Sequence, residues 1–431
     1  MNKKIHMKPS TIEIVNKTLK KRRANETIFR SFGLVSILLG ILSLVFLLTT
    51  IVGNGWGAFS QTYINLNLTF DAEILGIDDP LDEEQWDYAN YDGVIKSSLR
   101  DRFPEVKSRR DKRNLYRIIS PGATFQVKDL LADRSLLGSQ LSIWLPADDD
   151  IDSFIKGHIS RETPEKERRV KDKIILIIDD LIEKGELEKR FNSIFFSAGD
   201  SSEPEQAGIY GAMLGSFYTL IITLILSFPI GVAAAIYLEE FAPKNRFTDL
   251  IEININNLAA VPSIVFGLLG LAIFLNLFGM PRSIPVVAGI VLAIMTLPTV
   301  IISSRAALGA VPPSIREAAL GLGASKMQTI FHHVFPLALP GMLTGSIIGM
   351  ARALGETAPL LMIGMVAFIV DIPASFFDPS TVLPVQIFLW SDSPERAFVE
   401  KTSAAIMLLL LFLIFMNGLA VFLRNKFEKR W

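Results

Sequence analysis

The sequence predicts an all-α polytopic membrane protein with six transmembrane helices and one inserted α+β domain. Half of the 431 residues are apolar, and they gather in six blocks rather than spreading evenly along the chain. Each block is close to the roughly 20 residues that a helix needs to cross a bilayer. A long polar stretch separates the first block from the second, and its regular apolar patterns indicate a folded domain rather than a linker.

The composition excludes several classes of protein. The chain has no cysteine, so disulfides and cysteine-bound metals are excluded. The formal net charge of -1 gives no indication of nucleic-acid binding. No histidine, carboxylate or hydroxyl group follows the spacing of a metal site or of a nucleophile with its base, so we expect no metal, no catalytic residue and no enzyme.

The first apolar block predicts a transmembrane helix over 32–52, behind a basic tail over 1–31. A cleaved signal peptide is the alternative. The long tail and the full-span length of the block favour a retained helix. Because basic residues flank membrane helices on the cytoplasmic side, we expect the tail to be cytoplasmic.

Residues 53–207 are predicted to form an extracytoplasmic α+β domain. Apolar and polar residues alternate over 64–70 and again over 141–145, which is the period of a half-buried strand. Apolar residues recur at helical spacing over 174–182 between charged neighbours, which indicates an amphipathic helix with one buried face.

The remaining residues, 208–431, are predicted to form a membrane core of five helices. The apolar blocks span 213–237, 258–278, 284–302, 342–370 and 404–423. Six crossings that start inside return the C-terminus to the cytoplasm, and its basic residues, among them Lys429 and Arg430, agree with that side. The predicted location is therefore the bacterial inner membrane, with both termini cytoplasmic.

The predicted cytoplasmic loop over 303–340 has a helical pattern of its own. Ser314 and Glu317 fit the capping box that begins a helix, and Gly323 can adopt the left-handed conformation that ends one. A second short helix is predicted over 326–334. The first helix would have a flat face of small side chains, formed by Ala318, Ala319 and Leu322.

This loop resembles the EAA loop of ABC importer permeases. The resemblance rests on Glu317, Ala318, Ala319, Gly323 and Pro336 at the spacing of that motif. It implies that the first short helix docks in a cleft of a cytoplasmic ATPase and passes its movement to the membrane helices. A surface hairpin without a partner is the alternative. Since the chain has no G-x-x-x-x-G-K-[ST] loop, we expect no cofactor on this chain and ATP with magnesium on the partner ATPase.

Four further segments resemble phosphate permeases of the PstA type, and the likeness runs from about residue 208 to the C-terminus. The segments are 238–243, 257–267, 351–361 and 423–426. The resemblance implies the architecture of a type I ABC importer permease. It also implies three kinds of partner: a homologous permease of the PstC type, an ATPase dimer of the PstB type and an extracytoplasmic phosphate-binding protein of the PstS type.

Arg352 and Glu356 are the candidate residues for substrate translocation. They fall midway in the block 342–370, where a charged side chain is costly and is expected to face the interior of the bundle or a wet cavity. Their spacing of four places them on one helix face, where they can pair. The planar guanidinium group suits a phosphate oxyanion, and Glu356 would hold the arginine between transport events. A structural ion pair that fixes helix packing is the alternative.

The sequence also leaves other functions open. The nearest is a permease for another oxyanion, such as sulfate or molybdate. A membrane sensor could use the outer domain, although two spans would suffice for it. An intramembrane enzyme would need several polar catalytic groups within the spans, and the sequence offers only the pair of Arg352 and Glu356.

Overall fold

The computed structural model describes residues 11–427. The first ten residues of the predicted basic tail, with Lys429 and Arg430, lie outside the described residues. The strands are β1 (Ser60–Thr69), β2 (Gln140–Pro146) and β3 (Leu187–Phe191). The helices up to the end of the polar stretch are α1 (Thr11–Gly55), α2 (Ala72–Leu75), α3 (Glu83–Asp87), α4 (Tyr91–Arg102), α5 (Arg109–Tyr116), α6 (Ala123–Leu130), α7 (Asp149–Ile155), α8 (Asp172–Glu183) and α9 (Ser193–Ser197).

The second half of the chain is helical throughout. Its helices are α10 (Tyr210–Ile236), α11 (Arg246–Ala259), α12 (Ser263–Gly270), α13 (Pro285–Gly309), α14 (Pro313–Gly321), α15 (Lys326–Thr329), α16 (Phe335–Gly355), α17 (Ala358–Met362), α18 (Leu383–Ser391) and α19 (Ala397–Phe427). Three π-helical turns adjoin them, at Tyr237–Phe241, Leu271–Leu277 and Ile330–Val334. Short 3-10 turns occur at Trp56–Phe59 and Arg134–Leu136.

Helix α1 is longer than the predicted 32–52. It begins at Thr11, because the lysines, arginines and glutamate ahead of the apolar block are themselves good helix formers. Its residues 21–50 are exposed throughout. Within α1, Arg30 and Glu26 form an ion pair one turn apart, at 2.6 Å.

The polar stretch contains a three-stranded antiparallel sheet with β1 in the centre, in the order β2-β1-β3. The predicted strands over 64–70 and 141–145 are confirmed as β1 and β2, and the predicted amphipathic helix is confirmed as α8. Alternate residues of β1, such as Ile64 and Leu68, are fully buried with Ile178 of α8. Strand β3 escaped prediction because it is a short, charged edge strand with almost no buried side chain.

Buried charges join this α+β region to the first turn of α19. Lys156 of α7 contacts Asp152 at 2.7 Å and Glu400 of α19 at 3.2 Å, and all three side chains are about nine-tenths buried. The neighbouring Lys401 donates to the backbone carbonyl of Ala207 at 2.6 Å. Buried charges are stable only when paired, so these contacts fix the region against α19 in one arrangement.

Five described helices are long and apolar enough to cross a membrane, and the number is six if the bent pair of α11 and α12 counts as one span. The long helix α13 packs against both α10 and α16, and it forms the centre of the bundle. The fold is therefore a helical polytopic membrane protein with a small sheet.

The predicted third span, 258–278, is wrong as a single straight helix. The chain turns by 98° between α11 and α12. The cause is Pro262, which lacks an N–H group and disfavours helical geometry at Val261. An apolar run alone could not reveal this turn.

The predicted fifth span, 342–370, is also wrong. Helix α16 begins near its predicted start but ends at Gly355, and only the short α17 follows it. Gly355 is a poor helix former, and Pro359 has no N–H group with which to continue the hydrogen-bond ladder to it. The left-handed Gly364, at φ 87°, then ends α17.

Glycine allows α13 and α16 to approach closely. A Cβ atom at Gly345 would overlap Ser303 of α13, and one at Gly341 would lie 2.7 Å from the Cβ atom of Ala307. A Cβ atom at Gly349 would meet nothing closer than Thr296, at 3.8 Å. The contact between the two helices therefore depends on Gly345 and not on Gly349, although both belong to the same small-residue pattern.

Two acidic groups beside the buried charges are held in an unfavourable environment. Burial raises the pKa of Glu205 to about 7, although a hydrogen bond from Ser120 opposes the shift. Burial, with the nearby negative charge of Asp149, raises the pKa of Asp148 to about 8. Both groups therefore lose their protons at a higher pH in the folded chain than in the unfolded chain, and stability must fall as the pH rises toward 7.

We expect Gly345→Ala to lower the melting temperature of the detergent-purified protein, because overpacking at a close helix contact costs about 1–3 kcal/mol. The matched control Gly349→Ala should leave the melting temperature unchanged or raise it, since alanine favours a helix by up to about 1 kcal/mol over glycine. Equal effects of the two substitutions would contradict the packing described for Gly345.

We also expect the melting temperature of the full chain to fall as the pH is raised from about 5 to about 7, because Glu205 and Asp148 must ionise while buried. Glu205→Gln and Asp148→Asn should each flatten this dependence. Asparagine keeps the acceptor with which Asp148 caps α7, so loss of the cap would not confuse the result. A pH profile that neither substitution changes would show that these carboxyls are not the groups responsible.

Candidate functional site

Helix α14, the first short helix of the predicted coupling loop, has an exposed face and an anchored face. Glu317, Ala318 and Leu320 are exposed, whereas Ala319 is buried. The predicted flat face of Ala318, Ala319 and Leu322 is therefore wrong. Ala318 and Leu322 are exposed together, four positions apart, whereas Ala319 lies on the anchored side.

The sequence predicted the C-terminal end of α14 correctly but not its N-terminal end. Its N-cap residue is Pro312, and no side chain caps it, so the predicted capping box of Ser314 and Glu317 is wrong. Proline has a fixed φ that suits the start of a helix, so α14 begins before Ser314. Gly323 adopts the predicted left-handed conformation, at φ 86°, and its N–H group donates to the carbonyl of Leu320 at 2.9 Å.

The second short helix is continuous with the membrane helix that follows. Ser325 and Gln328 form a true capping box at the start of α15. From there a π-helical turn leads into α16, and the whole segment from Lys326 to Gly355 is one stretch of 30 residues. Pro336 lies at the start of α16, directly after the π-helical turn, which accommodates its missing N–H group. Movement of the short helix α15 must therefore move α16 as well.

Arg316 anchors α14 to two long helices. Its guanidinium group donates to one carboxylate oxygen of Glu240, at 3.1 Å from Nε and 2.6 Å from Nη2. It also donates to the carbonyl groups of Leu308, at 2.9 Å, and Val311, at 2.7 Å. Leu308 belongs to the last turn of α13, and Val311 lies in the short link between α13 and α14, so the arginine joins α14 to the C-terminal end of α13.

A second arginine extends the network. Arg305 of α13 donates to Glu239 at 3.3 Å and to Glu252 of α11 at 2.9 Å. Glu239 and Glu240 are neighbours in the π-helical turn that ends α10, a form of helix common at functional sites. These four side chains are not among the predicted site residues. Two adjacent acidic residues beside one predicted membrane span, and two arginines in the predicted loop 303–340, were the signal that could have identified them.

Arg352 and Glu356 lie together, as their spacing predicted. Nε of Arg352 is 3.3 Å from Oε1 of Glu356. Their predicted position midway through a membrane helix is wrong, because α16 ends at Gly355 and Glu356 is the residue that caps it. The Arg352 side chain is 52% exposed, and that of Glu356 is 20% exposed.

The break after α16 is packed against the other break in the membrane helices. A Cβ atom at Gly267 of α12 would lie 2.6 Å from the Cα atom of Pro359 in α17, so the two short helices are in close contact. The backbone groups freed at the breaks are still paired, for example the N–H group of Glu356 with the carbonyl of Ala353 at 3.2 Å. Irregular backbone at membrane depth is tolerated where protein buries it or a wet cavity adjoins it, and the exposed Arg352 lies directly beside this place.

The predicted site residues thus form two groups on one continuous segment. Pro336 and Arg352 are separated by 16 positions of α16, or about 24 Å along the helix axis. The residues predicted to couple to an ATPase lie toward one end of this helix, and the arginine pair lies at the other. The arrangement can transmit a displacement along α16 to the place where a cationic group is exposed.

Among the described residues, one group of carboxylates has the spacing of a metal site. Oxygen atoms of Asp148, Asp149 and Asp150 lie within 4.8 Å of one another. Asp148 caps α7, and Asp150 lies 3.5 Å from Arg169. These contacts account for two of the three carboxylates without a metal ion.

Two protein families match this chain. The family described as "Binding-protein-dependent transport system inner membrane component" matches residues 227–429. A domain of unknown function, DUF3333, matches residues 16–165. The first match runs from within α10 past the last described residue of α19, and it includes both groups of predicted site residues.

Curated relatives match the same half of the chain. A probable ABC transporter permease, YqgI of Bacillus subtilis, is 35% identical over 167 residues, which are 39% of this chain and 56% of that protein. The phosphate transport system permease protein PstA of Mycobacterium leprae is 34% identical over 212 residues, or 48% of this chain and 68% of that protein. The phosphate transport system permease protein PstC of Haemophilus influenzae is 33% identical over 234 residues, or 49% of this chain and 73% of that protein.

Proposed function

Because this chain belongs to the family of PstA-type ABC transporter permeases, we propose that it is a permease subunit of an ATP-driven importer of inorganic phosphate. It forms the translocation path together with a homologous permease of the PstC type. ATP is hydrolysed on separate ATPase subunits of the PstB type, and phosphate is delivered by a binding protein of the PstS type. The relatives named for phosphate transport support this substrate.

The exposed guanidinium group of Arg352 is the observation that carries the phosphate proposal. It lies where α16 ends, and its acidic partner among residues 11–427 is Glu356, at 3.3 Å. A phosphate oxyanion can replace that carboxylate. The planar carboxylate and the tetrahedral phosphate each present two oxygen atoms that can accept parallel hydrogen bonds from a guanidinium group. Glu356 neutralises the arginine when no anion is bound, and Arg352 is free to pair with phosphate when one arrives.

The orientation follows from the position of the coupling helix. If α14 meets the ATPase, then α14 is cytoplasmic, and both chain termini share that side in the inner membrane. The region 53–207 is then extracytoplasmic. Its buried ion pairs to α19 support a role as a fixed part of the permease rather than a loosely tethered module.

Labelled phosphate uptake at low external concentration tests the substrate. Cells that lack this subunit should regain uptake when it is restored, and neither sulfate nor molybdate should compete. Competition by sulfate or molybdate would assign the permease to another oxyanion.

We expect Arg352→Gln to reduce phosphate uptake by at least about 100-fold, because the anion loses its charged, two-pronged donor, which is worth roughly 3 kcal/mol in a charge-assisted pair. The complex should still assemble, since the side chain is largely exposed. Arg352→Lys keeps the charge without the fork and should restore only part of the uptake. Loss of assembly in Arg352→Gln would instead identify a structural ion pair.

We expect Glu317→Lys to leave the chain inserted in the membrane but to abolish uptake, because it reverses the charge on the exposed face of α14 that meets the ATPase. Asp249→Lys makes the same change on an exposed residue of α11 and serves as the control. Uptake that survives Glu317→Lys would show that α14 does not couple to the ATPase through this face.

A further inference from the structure

We propose that Arg316 is a positioning residue that joins the coupling helix α14 rigidly to α10 and α13, so that the three helices respond to the ATPase as one body. The inference rests on the proposed function in one respect, that the ATPase acts on α14. It adds the path by which the displacement reaches the membrane helices. That path is a side-chain clamp, not only the chain connection from α15 to α16.

The clamp follows from the number of acceptors that one side chain satisfies. The guanidinium group makes four hydrogen bonds. Two go to Glu240 beyond the end of α10, one to the carbonyl of Leu308 in the last turn of α13 and one to the carbonyl of Val311 in the link that follows. A planar guanidinium group has a fixed donor geometry, so these bonds fix the orientation of α14 as well as its distance. Helix α14 cannot rotate about its axis without breaking several of them together.

Burial makes the clamp strong. The Glu240 side chain is only 9% exposed, and Arg316 is its partner in the described ion pairs. Removing one member of a buried pair leaves the other charge without compensation, so separation is far more costly here than at a surface pair. The link between α13 and α14 is only three residues long, 310–312, which leaves little slack for independent movement.

A second set of ion pairs, made by Arg305, contacts the same π-helical turn, Tyr237–Phe241. Arg305 connects α13 to Glu239 and to Glu252 of α11. The two neighbouring glutamates of the π-helical turn therefore serve two different arginines. The ammonium group of Lys326, at the start of α15, also lies 5.1 Å from the ring of Phe241 in this turn. Four helices thus meet around one short turn.

The apolar contacts beneath the clamp are consistent with one rigid unit. Val232 and Ile236 of α10, Leu308 of α13 and Val334 before α16 are buried in a single cluster, and Ile315 of α14 packs against it. Arg316 lies next to Ile315 on the anchored side of α14, while Glu317 and Ala318 remain exposed. The exposed side of α14, with Glu317 and Ala318, is therefore available to the ATPase. The opposite side, with Ile315 and Arg316, contacts the membrane helices.

The distance between two spin labels measures whether α14 moves relative to α10. Because this chain has no cysteine, introduced cysteines are the sites that a thiol-reactive label modifies on it. We would place them at Ile225→Cys, which is 63% exposed on α10, and at Ser314→Cys, which is exposed on α14. Ile225 lies 15 residues before Glu240, or about 22 Å along the helix, which suits pulsed EPR. The sample is the whole complex with its ATPase subunits, without nucleotide and with ATP trapped by vanadate.

The parent protein is the doubly labelled protein with Arg316 in place. We expect its distance distribution to be the same in both nucleotide states. In Arg316→Gln the distribution should broaden or shift when ATP is trapped. A shift in the parent protein would overturn the proposal, because α14 would then move relative to α10. The parent alone decides this outcome, even if Arg316→Gln does not assemble.

Transport per ATP provides the second readout. In proteoliposomes, Arg316→Gln and Glu240→Gln should retain ATP hydrolysis but lower phosphate uptake per ATP by about tenfold, within the range of coupling changes caused by mutations along a connecting network. Combining the two should cost little more than either one, since both remove the same pair. Arg190→Gln, which removes an exposed pair with Glu188, is the control.

An unchanged uptake per ATP in both single variants would also overturn the proposal. A parent complex that hydrolyses ATP but does not transport phosphate would instead refute the proposed substrate. The EPR result would still stand in that case, because it requires only that the ATPase subunits bind α14.

Discussion

A bilayer cannot hydrogen-bond the main chain, and this constraint governs the whole membrane half of the protein. Long helices satisfy it by themselves, and any break must find partners within the protein. Both breaks do so: the N–H group of Ala260 pairs with the carbonyl of Asn257 at 3.0 Å, and that of Glu356 pairs with Ala353. The broken segments α12 and α17 then pack against each other through Gly267 and Pro359. The irregular backbone is thereby concentrated in one place, and the exposed Arg352 lies beside it.

Three groups of charged side chains in the described part of the chain differ in burial and pairing. At the junction with α19, Lys156 and Glu400 are buried and paired, so they hold two parts of the chain together. On α14, Arg316 is half-buried and paired on one side, while Glu317 is exposed on the other. At the end of α16, Arg352 is paired but half exposed. Low exposure and pairing make the groups around Lys156 and Arg316 suitable for holding helices together. Exposure makes Arg352 suitable for exchanging its partner.

These places are connected by continuous elements. Helix α16 runs from the coupling segment to the arginine pair, and α13 packs along it through the close contact at Gly345. Helix α10 reaches the coupling segment through Glu240. A displacement of α14 therefore has two routes into the membrane, one along the backbone through α15 and one through the side-chain clamp. Because packed helices are nearly incompressible, a displacement along either route moves the neighbouring helices with it.

The apolar blocks, the alternating strands and the spacing of Arg352 and Glu356 could be read from the sequence, since each depends on residues that are close along the chain. The bend at Pro262 and the end of α16 at Gly355 were missed, because hydropathy does not register a lost N–H group. The capping box of Ser314 and Glu317 was predicted from a pattern that the prolines before it override. The charged strand β3 was missed for a related reason: its place in the sheet is decided by β1, not by its own residues.

The sequence by itself determined the membrane class, the short helix of the EAA-like loop and the left-handed turn at Gly323, because local composition and backbone preference suffice for these. Only the tertiary structure decided which partner each charge would take. Glu240 and Arg316 lie 76 positions apart, and Lys156 and Glu400 lie 244 apart. No local pattern encodes such pairs, since they exist only when packing brings distant helices together and excludes the water that would otherwise separate them.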